Sequence, residues 1–460
     1  HFGVAAFSLN VSGARLLVRI LLYFVFRFPF LFLVFHGVLI VISTQLLSAE
    51  SHFKTQAPHY KIDVSYDHDK TLLVGKMQVR FSRYAYPTHE LLFSLPGNRF
   101  NYPDERGTRK HKIVPVFSLR RFQDNLEDPK TPTGFSTGSL KINSVSAFTQ
   151  NQSVEKHPLK YSLEPNPDLE VGYSTSNGLL RILLPKNLPV TKNDPGESTV
   201  LIEFSTNFPE HAQEGAVNGM LLTANWHPKL LTWIEKPGLN EKKWETTGDN
   251  PSPATFEVTW KAVQAGTLIT TPGHKKLLAG QVVTLSVTKR TIKYFPLIFS
   301  RVHQQFSGNE GRALVVKNTS TAVAKTSYQL TSFYLEGHER RAELLHNWSA
   351  SFLSFMHSRY GLKSPWESIR IVAVEAEYEQ VDVLNNLVLV PLPNYKRSEF
   401  LDRQALGFLT RRLAQLWFGE LIWSNQDTQQ WLNLGVPAFF GLRFFQHNFG
   451  ADAGIFDSLD

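Results

Sequence analysis

The sequence predicts a multidomain α+β chain, with an antiparallel β domain over residues 52–300 followed by a mixed α/β domain over residues 301–460. Three observations predict it. Tyr60–Asp67 and Lys70–Phe81 alternate apolar and polar residues with a period of two around a short polar turn, the pattern of a half-buried hairpin. Gly337–Tyr360 instead spaces Leu344, Leu345, Trp348, Phe352, Leu353, Phe355 and Met356 as the buried face of a helix. A length of 460 residues leaves room for two or three such domains.

Before the β region stands an uncharged segment. Arg15, Arg19 and Arg27 precede a run from Phe28 to Ser48 interrupted only by His36. Its length, about twenty residues, suits either a signal peptide or a single membrane span. Basic residues ahead of the run hold the N-terminus in the cytoplasm and place the chain after Ser51 outside it, in the periplasm or at the cell surface. A cleavage site after Ala49 is poor, because Leu47 stands where a small residue is wanted. A buried core helix is the plainer reading, and Pro29 and the arginine flank fit it badly. Residues 1–50 are therefore expected to be a leader or an anchor, with 28–48 in contact with the membrane.

Further strands are expected at Gly178–Leu184, Ser198–Phe204, Ala254–Trp260 and Val282–Val287. Proline and asparagine clusters at 96–109, 125–134 and 163–168 predict long loops. After residue 300 the helix of Gly337–Tyr360 stops at Gly361, a suitable terminator. Ile369–Val374 and Leu387–Val390 are expected strands, and Phe400–Phe418 and Gln429–Gln446 expected helices.

Composition excludes some classes. The net charge of +8 is moderate for this length and forms no basic stripe, only short pairs such as Lys242-Lys243 and Lys275-Lys276, so nucleic acid is not an expected partner. There is no cysteine, which excludes disulfides and thiolate metal sites and leans toward a bacterial envelope protein. No G-x-S-x-G elbow and no phosphate-cradling glycine loop occurs. Asn-x-Ser/Thr sequons stand at Asn10, Asn151, Asn318 and Asn347, a pattern frequent by chance.

The stretch richest in chemical meaning is Thr410–Glu420, reading T-R-R-L-A-Q-L-W-F-G-E, followed by W-L-N-L-G at Trp431–Gly435. This frame resembles the active-site helix of the gluzincin aminopeptidases, the membrane alanyl aminopeptidase type, whose members read H-E-L-A-H-Q-W-F-G-N and then W-L-N-E-G. Leu413, Ala414, Trp417, Phe418, Gly419, Trp431, Leu432, Asn433 and Gly435 stand as in the family. The resemblance implies an N-terminal saddle-like antiparallel β domain, opened by the Tyr60–Phe81 hairpin and ending near Ala254–Gly273. A thermolysin-like mixed α/β catalytic-type domain would follow. It also implies that the family's chain runs on past Asp460, so the second domain is expected to be truncated.

In such a motif two histidines at i and i+4 share one helical face and reach one metal. The glutamate beside the first is general base to zinc-bound water. Here the first ligand position is Arg411, the base position Arg412 and the second ligand position Gln415. The third ligand position, after eighteen intervening residues, is Leu434. Arginine stays protonated and offers no lone pair, leucine has no donor atom, and glutamine is a weak oxygen ligand. The family's G-x-M-E-N loop, which binds a substrate α-amine through its glutamate, is also missing from the corresponding stretch Glu379–Val390. Glu379 and Asp382 are the carboxylates there that could take an amine, and exposed loop acids are the plainer reading. His338-Glu339 begins like a zinc motif, but Ala342 fills the second histidine position; with His346 it reads as a solvated helix start. His227, in Asn225-Trp226-His227-Pro228, reads as structural.

The expected function is an exported or membrane-tethered, aminopeptidase-like protein without catalysis, binding a peptide or protein in its former cleft and needing no cofactor. The alternative is a zinc-dependent aminopeptidase with non-standard ligands.

Overall fold

The structure is a computed structural model describing residues 57–82, 86, 89–100, 138–149, 157–158, 172–176, 178–184, 197–209, 215–235, 242–244, 251–263, 267–268, 274–277, 282–300, 328–375, 381–396, 402–422 and 431–450. The segment 28–48, the acid Glu379, the predicted loops from residue 101 onward and the sequons at Asn10, Asn151 and Asn318 lie outside these residues. Among the described residues no helix is long and apolar enough to cross a membrane. Mixed β-sheets and a few helices fall into two compact units, one spanning Phe53–Gln304 and the other containing Gln305–Asp460.

The first unit is built on one eight-stranded sheet. In chain order its strands are β1 (His59–Asp67), β2 (Leu72–Ser82), β3 (Ser139–Thr149), β4 (His157–Pro158), β5 (Glu197–Asn207), β6 (Ala254–Ala262), β7 (His274–Leu277) and β8 (Val282–Ile292). They lie side by side in the order β7-β8-β6-β1-β2-β5-β3-β4. The alternation in sequence does what it should: Tyr60, Ile62, Val64 and Tyr66 are buried beside Leu73, Met77, Val79 and Phe81, while Lys61 and Asp63 face water. The hairpin turns where the Asp67 carboxylate accepts the N–H groups of Asp69 and Lys70 and Thr71 takes a left-handed conformation (φ 49°).

One expectation fails. The sheet is not purely antiparallel, because β1 runs parallel to β6, His59 opposite Thr255 through Tyr66 opposite Ala262. Parallel neighbours need a long crossover, and here β2 through β5 are inserted between the two strands in sequence. β6 and β8 also run past their predicted ends, to Ala262 and Ile292. The stretch Pro96–Phe100, expected as loop, forms a 3₁₀ turn.

Beside the sheet lies a buried polar group. Lys229 is almost completely enclosed; its ammonium donates to the Asn225 side-chain oxygen and sits 4.6 Å from the centre of the Tyr294 ring. His227 is enclosed next to it, its Nδ1–H donating to the Pro228 carbonyl at 2.8 Å.

The second unit has a four-stranded sheet of β9 (Gln329–Phe333), β10 (Ser368–Val374), β11 (Asp382–Leu384) and β12 (Leu387–Pro391), in the order β9-β10-β12-β11. The first three run parallel, and β11 returns antiparallel at the edge. Its helices are α1 (Glu339–Tyr360), α2 (Pro393–Lys396), α3 (Asp402–Ala414) and α4 (Val436–Phe449). Helix α1 buries Leu345, Phe352, Leu353, Phe355 and Met356, while Leu344 and Trp348, expected on the same face, are only half-buried at its edge; the helix ends at Gly361 with φ 67° and its N–H on the His357 carbonyl. The helical segment expected to reach Phe418 stops as regular helix at Ala414, and the next begins as a π turn over Trp431–Gly435 before α4.

Candidate functional site

The second unit gathers the motif residues around the end of α3. Ala405, Leu406, Leu409 and Leu413 recur on one face of that helix and are buried, so the opposite flank carries Arg411 and Arg412, both half-buried. Beyond Ala414 the backbone tightens rather than ends. The N–H groups of Gln415, Leu416 and Trp417 bond to carbonyls three residues back, and those of Glu420 and Ile422 to carbonyls five back. The apolar frame locks this turn in place. Trp417 is buried with its indole N–H on the Lys363 carbonyl at 2.8 Å, and Phe418 stacks on Phe440 of α4 at 5.3 Å. At Gly441 of α4 an added Cβ would lie 2.9 Å from Arg411 Cγ, so α3 and α4 meet with no room for a side chain.

Two of the four motif positions, Arg412 and Gln415, form a hydrogen-bonded chain with the Asn433 backbone. Arg412 donates from Nη1 to the Gln415 Oε1 at 3.1 Å, and the Gln415 Nε2 donates to the backbone carbonyl of Asn433 at 3.0 Å. Gln415 therefore ties the end of α3 to the Trp431–Gly435 turn with both ends of its amide in use. Leu434, the third position, is 41 % exposed, and Trp431 is 61 % exposed. Arg411 is the odd member: among the described residues its guanidinium has no hydrogen bond or ion pair.

These residues do not fit a zinc ion. Two of the four are guanidiniums that cannot coordinate, one is a hydrocarbon, and the remaining amide oxygen is already an acceptor from Arg412. Among the described residues no three His, Asp or Glu side chains come together in a way that could hold a metal.

Asp382 corrects an expectation. It is 5 % exposed and begins β11, opposite Leu389, rather than standing on an exposed loop; the antiparallel edge pairing carries it inward. The turn after it, Asn385-Asn386, is left-handed at Asn385 (φ 52°), and its Asn385 N–H donates to the Glu420 carboxylate at 2.7 Å. Glu420, one residue past the recognised frame, thus clamps this turn to the end of the motif helix. The sequence signal was the asparagine pair between two apolar strands, which marks a tight turn; nothing in the sequence marked Glu420 as its partner.

His346 of α1 also departs from expectation. His346 is buried, not solvated, with Nδ1 2.8 Å from the Ser332 hydroxyl of β9. Burial lowers its pKa, and Glu343 opposes the shift. His338 stands at the start of α1 without a side-chain capping bond. The two do not converge on a shared site.

No family model matches the chain, and no curated protein matches it. Among solved structures, native yeast LTA4 hydrolase is similar at a TM-score of 0.49 and 11% sequence identity, over 88% of this chain and 51% of that one. The chain spans about half the length of that protein.

Proposed function

We propose that this chain is an aminopeptidase-like protein of the gluzincin type that holds no catalytic zinc and works by binding rather than by hydrolysis. In this reading the first unit corresponds to the saddle-like domain and the second to part of a thermolysin-like domain. The single observation that carries the reading is the chain Arg412–Gln415–Asn433 at the motif positions. A site built for zinc leaves its nitrogen and oxygen lone pairs open to the ion. Here the one oxygen in the motif is spent on a guanidinium, and the guanidinium's charge repels a cation. Arg412 in the base position cannot take a proton from water, since it is already fully protonated.

The ligand in this reading is a peptide or protein that enters the former cleft, and no cofactor is needed. The segment 28–48 would hold the chain at a membrane, or be removed on export, and leave the two units outside the cytoplasm.

The test is elemental analysis of the purified full chain together with hydrolysis of aminoacyl-arylamides, with and without a chelator. The expected result is no stoichiometric zinc and no chelator-sensitive release of arylamine. One zinc per chain with activity abolished by the chelator would sink the proposal and restore the alternative, a metallopeptidase with non-standard ligands.

A further inference from the structure

We infer that the place where the motif would hold a metal is instead a receptor for a carboxylate carried on an apolar body, with Arg411 as its anchoring cation. The inference rests on the reading that this site lacks zinc.

Arg411 stands apart from the bonded residues of the motif. Its neighbour Arg412 is engaged with Gln415. Arg411 has no acceptor among the described residues, although it is half-buried and its stem is pressed against Gly441 of α4. A basic residue in the last turn of a helix is ordinarily explained by the helix dipole and its open carbonyls. That explanation is weak here. The carbonyls of Arg412, Leu413 and Ala414 are taken by the N–H groups of residues 415–418, because the chain goes on turning past the regular helix. A guanidinium held by packing at its stem, with a planar fork of donors unspent, is a preorganised partner for an oxyanion.

The surroundings select the kind of anion. Gln415 holds the Trp431–Gly435 turn beside the end of α3, and this turn presents Trp431 and Leu434 to solvent. Exposed large apolar side chains on the turn held by Gln415, one helical turn on from Arg411, favour a ligand with a charged end and a hydrocarbon remainder over a bare, fully hydrated anion. The end of a peptide chain with an apolar last residue has this chemistry. The zinc-to-arginine change would then invert the polarity of recognition, from a site that polarises a carbonyl to one that pairs with a carboxylate.

The probes are N-acetyl-leucine, its neutral analogue N-acetyl-leucinamide, and inorganic phosphate, titrated calorimetrically into the full chain at low salt. N-acetyl-leucine is expected to bind, and the amide and phosphate to bind on the order of tenfold more weakly or not at all. Arg411→Gln should remove the preference for the carboxylate, Arg411→Lys should keep part of it, and Arg443→Gln, an exposed arginine bonded to Gln446, should leave it unchanged. Near-ultraviolet circular dichroism checks that each variant is folded. Equal binding of all three probes, binding that Arg411→Gln does not alter, or phosphate as strong as N-acetyl-leucine overturns the inference, as does no binding at all. Zinc content measured on the same protein separates the two failures. Zinc present defeats the underlying reading, whereas zinc absent without carboxylate binding defeats only this step.

Discussion

His227 sits among Trp226, Tyr60 and Phe256, with ring centres 4.6, 5.7 and 5.8 Å away. Burial, reinforced by the neighbouring ammonium of Lys229, pushes its pKa down to about 3 from an ordinary 6.5. Between those values the unfolded chain takes up a proton that the folded chain refuses. Stability therefore rises with pH across this window and is lost as pH falls from about 6.5 toward 3. In thermal melts between about pH 6.5 and about pH 4, His227→Gln should show a shallower fall of Tm than the wild type. Equal slopes would remove His227 from the account. A structural role was expected from the likeness of Asn225-Trp226-His227-Pro228 to an aromatic-proline turn of the family's β domain. The burial of Asp382 and His346 could not be read from sequence, because each depends on which strand or helix packs over it. The bond from Arg412 to Gln415 was equally hidden: the residue types showed poor zinc ligands at the motif positions, but which side chain reached which depended on how the helix ends.

The elements show the same division. The β1–β2 hairpin was legible because its alternation and its polar turn are local, and α1 because its apolar residues recur from Leu344 to Met356, over roughly three to four turns. The parallel contact of β1 with β6 was not, since two strands far apart in sequence share no local signal. Nor was the early end of α3, because Leu413, Ala414, Trp417 and Phe418 keep helical spacing while the hydrogen bonds shift register around them. The α3–α4 contact gives a direct test. A Cβ added at Gly441 would lie 3.3 Å from the Arg411 backbone nitrogen and 2.9 Å from its Cγ, so Gly441→Val must force the helices apart. It should lower stability by about 1–3 kcal/mol, with Gly441→Ala milder, read from urea midpoints at constant m. A valine variant as stable as the wild type would show that the two helices slide freely.

For the whole molecule, the sequence conveyed the order of a β-rich unit and then a mixed one. It conveyed neither the mixed pairing of the large sheet nor the clamp of Glu420 on Asn385, both products of long-range packing. One feature of the first unit has a use at this scale. The Lys229 amine is sealed inside the unit, whereas Lys61 and Lys76 stand half-exposed on the sheet. An amine-acylating reagent should therefore modify Lys61 and Lys76 at once and reach Lys229 only when the unit opens, as peptide mass spectrometry would record. Prompt acylation of Lys229 in native buffer would contradict its enclosure. With slow acylation, this one lysine becomes a built-in clock for the opening of the chain, read without a fluorophore, a ligand or an assay of activity.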